Sequence, residues 1–136
     1  VARTDAVHMG ALVANPFEEA IKRANTFLDA GADLVHVPGV QNIDVVHQLK
    51  TQIHGPVMIT VSHGNAPLLT DYREAGITAV SLGTGLMRSA LSDMRRKAEN
   101  LMATGQFGHL DEAMSENDMS DILCEKVGAL TKVASI

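Results

Sequence analysis

Val57-Met58-Ile59-Thr60-Val61 is an apolar, largely β-branched run, and Ser62-His63-Gly64-Asn65 follows it directly. Gly55-Pro56 breaks the chain just before it. Leu68-Leu69, Tyr72 and Ala75 then suit a short helix that stops at Gly76. A strand with no polar alternation is one buried on both faces, as in a parallel sheet covered by helices. A polar turn at its end, followed by an amphipathic helix, completes one strand-helix unit.

The same unit recurs on both sides. Upstream, Pro16 suits a first helical turn, Phe17, Ile21, Ala24 and Phe27-Leu28 keep helical spacing, and Gly31 is the stop. Asp33-Leu34-Val35-His36-Val37 and the turn Pro38-Gly39 follow, then a helix from about Ile43 to Ile53 with Val46 and Leu49 on one face. Downstream, Ile77 to Leu82 reads as a strand ending in Gly83-Thr84-Gly85. The longest helix runs from about Leu86 to Thr104, and Ala90-Leu91, Met94, Ala98 and Leu101-Met102 are expected to face inward. With Val1 to Thr4 as the end of a first strand, there are four such units. A (β/α)8 barrel takes roughly 250 residues, so four units over residues 1–105 predict half of one. The fold class is α/β, the C-terminal half of a TIM-type barrel. Residues 106–136 form a helical tail: Ser115 with Asp118 three residues on marks an N-cap, and Met119, Ile122-Leu123, Val127 and Leu130 recur at helical spacing.

The chain has 136 residues, a net charge of -5 and only 3% aromatic residues, with no Trp. No basic stripe or set of stacking rings is present, so nucleic acid is not an expected partner. No apolar run reaches the roughly 20 residues that cross a membrane. A single cysteine, Cys124, leaves no internal disulfide and fits a cytoplasmic location. The seven methionines are read as core packing.

Val1-Ala2-Arg3-Thr4-Asp5-Ala6 places an arginine at a strand end, where its planar fork can clamp a carboxylate or phosphate. That hexapeptide, Ala30-Gly31-Ala32-Asp33, Val37-Pro38-Gly39, Gly55-Pro56-Val57, Val80-Ser81-Leu82-Gly83 and Met87-Arg88-Ser89-Ala90 together resemble the C-terminal half of the isocitrate lyase and phosphoenolpyruvate mutase superfamily. The match keeps order and spacing over nearly the whole chain. It implies strands five to eight of a barrel enzyme that uses Mg²⁺ on small α-keto or α-hydroxy carboxylic acids. It further implies carbon–carbon cleavage or carbon–phosphorus rearrangement through enolates, and a homo-oligomer, usually a tetramer, with its C-terminal helix exchanged between subunits.

Carried over by position, the resemblance implies that Arg3 binds the substrate carboxylate or phosphonate and stabilises an enolate oxygen. Thr60 and Ser62 fall where methylisocitrate lyases hold carboxylate oxygens, and Arg88 where they carry a second carboxylate-binding arginine. His63 is a candidate proton donor or anion contact. The resemblance implies Glu in some lyases of the group, and His in phosphonomutases, where this chain has Pro38-Gly39. The Mg²⁺ ligands and the lyase cysteine are expected in an N-terminal half, and Cys124 matches neither; this chain by itself is expected to be inactive.

The residues also admit plainer readings. Arg3 can be a structural partner of Asp5, Thr60 and Ser62 can satisfy backbone groups at a strand end, and Arg88 and His63 can simply be exposed. His36 is expected to pack or to face a helix. His8, His47, His54 and His109 have no partners at metal-ligand spacing. Gly83-Thr84-Gly85 reads as a tight barrel turn rather than as a phosphate cradle. A phosphonomutase, a non-catalytic half-barrel that dimerises and an unrelated phosphate-binding barrel remain the alternatives.

Overall fold

The computed structural model describes residues 1–12 and 14–133, with the side chain of Ala11 and those beyond Cys124 outside the description. The chain forms two compact units, Val1–Ala90 and the residues from Leu91 onward.

The first unit is a four-stranded parallel sheet in sequence order: β1 (Ala2–Arg3), β2 (Val35–Val37), β3 (Val57–Thr60) and β4 (Ala79–Ser81). Helices α1 (Pro16–Asp29), α2 (Ile43–Gln52) and α3 (Leu69–Glu74) connect the strands, and α4 (Gly85–Thr104) begins after β4.

Each connection is delimited by local chemistry. Asn15 caps α1 by accepting from Glu18 N, and Pro16 fills the first helical position, where a missing N–H costs nothing. Asn42 caps α2 with one carboxamide oxygen that accepts from Asp44 N at 2.9 Å and Val45 N at 3.2 Å. Helices α1 and α3 end the same way. Gly31 N bonds Leu28 O and Ala32 N bonds Phe27 O; Gly76 N bonds Arg73 O and Ile77 N bonds Tyr72 O. This paired closure needs a left-handed residue, and Gly31 and Gly76 supply it at φ 97° and 80°.

Parallel register sorts the two faces of the sheet. Arg3, His36, Met58 and Ala79 lie side by side, as do Val37, Ile59 and Val80, and Thr60 lies beside Ser81. Side chains alternate along a strand, so Arg3, His36, Met58, Thr60 and Ser81 share one face. Val35, Val37, Val57 and Ile59 occupy the other and are fully buried with Ala20, Ala24, Val46, Leu49 and Tyr72. Burying an aliphatic side chain of this size contributes about 1.5–3 kcal/mol, so the helix-covered face holds the sheet together. The opposite face is free to carry polar groups.

In the second unit the sequence reading of an inward apolar face needs correction. Leu91 and Met94 are more than half exposed and Met102 is 88% exposed. Met114, Met119, Ile122 and Leu123 are exposed as well, so these methionines are not core packing among the described residues. The exposed surface of α4 carries ion pairs between successive turns. Asp93 pairs with Arg96 and with Lys97 at 2.9 Å, and Arg95 pairs with Glu99 at 2.8 Å. The Lys97 and Arg96 hydrogen bonds hold the Asp93 carboxyl below its usual range. Helix α5 (Glu116–Val133) starts where the sequence places its cap, with Ser115 Oγ accepting from Asp118 N at 3.1 Å. Val127 and Leu130 lie outside the described side chains. No helix among the described residues is long and apolar enough to cross a membrane.

Candidate active site

The four strands point their C-terminal ends the same way, and the loops that follow them enclose a cleft of about 580 Å³. Arg3, His36, Thr60 and Ser81 contribute from the strands; His8, Pro38-Gly39, Gln41, Ser62-His63 and Leu82 to Gly85 contribute from the loops; Arg88 comes from the first turn of α4. Arg3, Thr60, Ser62, His63 and Arg88, far apart in sequence, therefore line one cleft.

Arg3 donates from Nε and Nη2 to a single oxygen of Asp5, at 2.8 and 2.7 Å. A guanidinium has five N–H donors, so this pairing leaves most of the fork for a ligand. The Arg3 hydrogen bond, against a small opposing effect of burial, holds the Asp5 carboxyl below its usual range. Arg3 is thus both an ion-pair partner of Asp5 and a wall of the cleft.

His36 takes the packed form of the sequence reading and not the helix-facing one. It is packed, at 7% exposure, but it lies on the face opposite the helix-covered core, and its Nε2 lies 2.7 Å from Thr60 Oγ1. The strand alternation was legible, yet alternation alone does not say which face the helices cover. Burial, reinforced by the Arg3 charge and opposed by Asp5, holds the His36 imidazole below its ordinary value of 6.5. Its stabilising effect is therefore complete above that value and is lost as pH falls, because the unfolded chain takes up a proton that the folded chain resists. Urea unfolding is expected to show constant stability from about pH 8 to 7 and a decline toward about pH 5. His36→Gln, which does not titrate, should flatten that decline; an unchanged profile would contradict it.

Thr60 is bonded to a side chain, not to a strand-end backbone group. Ser62 and His63 join a network around Gln41, a residue the sequence reading passed over. Ser81 Oγ accepts from Gly83 N at 3.1 Å, which folds Gly83-Thr84-Gly85 into a turn on the cleft wall.

At the end of β2, Gly39 has φ 91°, and a Cβ there would lie 3.0 Å from His8 N and 3.1 Å from His8 Cα. The loop after β1 passes through the space that a side chain at 39 would need. Among the described residues no three His, Cys, Asp or Glu side chains gather into a metal site. The cleft lining carries no Asp or Glu, so the residues there offer a Mg²⁺ ion no carboxylate.

The family profile described as phosphoenolpyruvate phosphomutase matches residues 1–102. The chain belongs to that family. This is the superfamily that its motifs resemble. The 2-methylisocitrate lyase of Aeropyrum pernix is 25% identical over 127 residues, covering 90% of this chain and 40% of that enzyme. A provisionally assigned lyase/mutase from Burkholderia cenocepacia J2315 superimposes with TM-score 0.78 at 26% identity, covering 88% of this chain and 42% of that one. Oxaloacetate acetylhydrolase in complex with the product oxalate shares the fold, with TM-score 0.74 at 19% identity over 99% of this chain and 46% of that one. The chain spans about two-fifths of the length of the curated relatives it matches.

Proposed function

We propose that this chain supplies one side of the active site of a carbon–carbon lyase or decarboxylase acting on small α-keto or α-hydroxy carboxylates. The observation that carries the reading is the convergence of Arg3, Thr60, Ser62, His63 and Arg88 on one cleft at the strand C-termini, where barrel enzymes keep their chemistry. Membership in a family whose curated relatives here are lyases adds to it.

Arg3 clamps a carboxylate and stabilises the enolate oxygen as its charge develops. Thr60, with its hydroxyl fixed by His36, and Ser62 and Arg88 orient the remaining oxygens. His63 offers a hydrogen bond, or a proton, to the anion. Residues 1–105 are read as half of a (β/α)8 barrel and 106–136 as a tail exchanged between subunits of a homo-oligomer. Mg²⁺ and the remaining acid–base groups belong, on this reading, to the other half of the barrel, and this chain alone is inactive.

The test is turnover by the complete barrel protein with Mg²⁺ on 2-methylisocitrate, oxaloacetate and phosphoenolpyruvate in parallel. Cleavage of a carbon–carbon bond in either of the first two supports the reading. Rearrangement of phosphoenolpyruvate alone transfers the assignment to a phosphonomutase, and no turnover of any contradicts it.

A further inference from the structure

Gln41 ties together the loops that follow β2 and β3, and its orientation can be deduced atom by atom. Its backbone carbonyl accepts from the hydroxyl of Tyr72 at 2.7 Å, and Tyr72 is fully buried. The residue is therefore anchored from behind. Its carboxamide oxygen Oε1 accepts from Ser62 N at 3.2 Å. A backbone N–H only donates, so the oxygen must face Ser62 and the NH₂ must be the other end.

That NH₂ lies 3.1 Å from His63 Nδ1 and 3.3 Å from Ser62 Oγ. An amide NH₂ only donates, so the ring nitrogen it meets must hold a lone pair. Ser62 Oγ lies 3.1 Å from the same Nδ1 and can donate to it as well. The neutral imidazole must then carry its proton on Nε2, which has no hydrogen-bond partner among the described residues. His63 lines the same cleft as Arg3, Thr60 and Arg88.

We propose that Gln41 is a positioning residue that fixes His63 as the Nε2–H tautomer, so that this N–H is presented to a carboxylate oxygen in the cleft. The identity of the ligand rests on the lyase reading above; the tautomer does not.

Long-range ¹H–¹⁵N correlation of the histidine rings in the complete barrel protein reads the tautomer directly. At about pH 8, where an ordinary imidazole is neutral, His63 should show protonated Nε2 and bare Nδ1, in roughly tenfold excess over the other form. Gln41→Leu should narrow that excess without inverting it, because Ser62 Oγ still donates to Nδ1. Gln41→Glu keeps the shape and the bond from Ser62 N but sets a second carboxylate oxygen against Nδ1, so it should move the proton to Nδ1. A merely structural contact predicts that Gln41→Glu matches the parent. If Gln41→Leu fails to fold, the Gln41→Glu comparison still decides. An Nδ1–H form in the parent chain, or the same form in the parent and Gln41→Glu, overturns the proposal. Because no substrate is needed, that failure would leave the lyase reading untouched, and absent turnover would leave the tautomer untouched.

Discussion

Replacing Arg3 with alanine should lower turnover of the carboxylate substrate by roughly 10²–10³-fold in the complete enzyme, the usual effect of removing one donor from a developing oxyanion. The competing explanation is that Arg3 exists to pair with Asp5. The two are separable by magnitude. The Arg3 and Asp5 side chains are 52% and 46% exposed, and pairs so open contribute about 0–1 kcal/mol to stability, with no reason to affect turnover. A structural role thus predicts a small change in unfolding and unchanged kinetics. A clamp predicts near-normal unfolding and a collapse of kcat/KM. Arg3→Lys sharpens the distinction, because a point charge keeps the attraction but loses the planar fork; it should recover only part of the loss. Equal activity in all three proteins would refute the clamp.

The second large effect is expected at Gly39. Restoring a side chain there looks attractive, because the resemblance implies a Glu in some lyases where this chain has Pro38-Gly39. The backbone forbids it. A left-handed φ of 91° costs a side-chain-bearing residue about 1–2 kcal/mol, and the new Cβ would press on His8 N and Cα at 3.0 and 3.1 Å. Those are backbone atoms, which cannot swing aside, and overpacking of this kind adds about 1–3 kcal/mol. Gly39→Ala should therefore destabilise the chain by roughly 2–5 kcal/mol in urea unfolding. Gly31 is the control. It has φ 97° with nothing within 4 Å of a built Cβ, so Gly31→Ala should show the conformational part alone, about 1–2 kcal/mol. Equal losses at the two positions would mean that the His8 contact carries no weight. Gly39→Glu is expected to lose at least as much stability as Gly39→Ala.

These two positions also show what the sequence makes legible. Arg3 announces itself because an arginine closing an apolar run has few other uses, and the family motif runs through it. Gly31 and Gly76 are readable as helix stops because the left-handed closure they make is local, spanning six residues of backbone. Gly39 is readable as a turn but not as a site closed to side chains, because the obstruction is His8, about thirty residues earlier in the chain. Gln41 is hidden for the same reason: its partners Ser62 and His63 are brought to it by the sheet, and a glutamine before a helix has no signature of its own. His36 shows a different limit. Period-two alternation predicts that His36 and Val37 face opposite ways, but only the placement of α1 and α2 decides which faces the cleft. The apolar spacing of α4 was equally clear in sequence, yet spacing describes a face and does not supply what covers it; Met94 and Met102 are exposed among the described residues.

The central claim is that the strand ends of this chain form a single carboxylate site. Its most direct test is oxalate, the product held by a fold neighbour, titrated into the isotope-labelled complete protein with Mg²⁺ while chemical shifts are followed. The account predicts saturable changes at the Arg3 guanidinium, Thr60, Ser62, His63 and Arg88, all with one affinity, and their loss in Arg3→Ala. Oxalate that binds elsewhere, or that moves these residues with unrelated affinities, would contradict it.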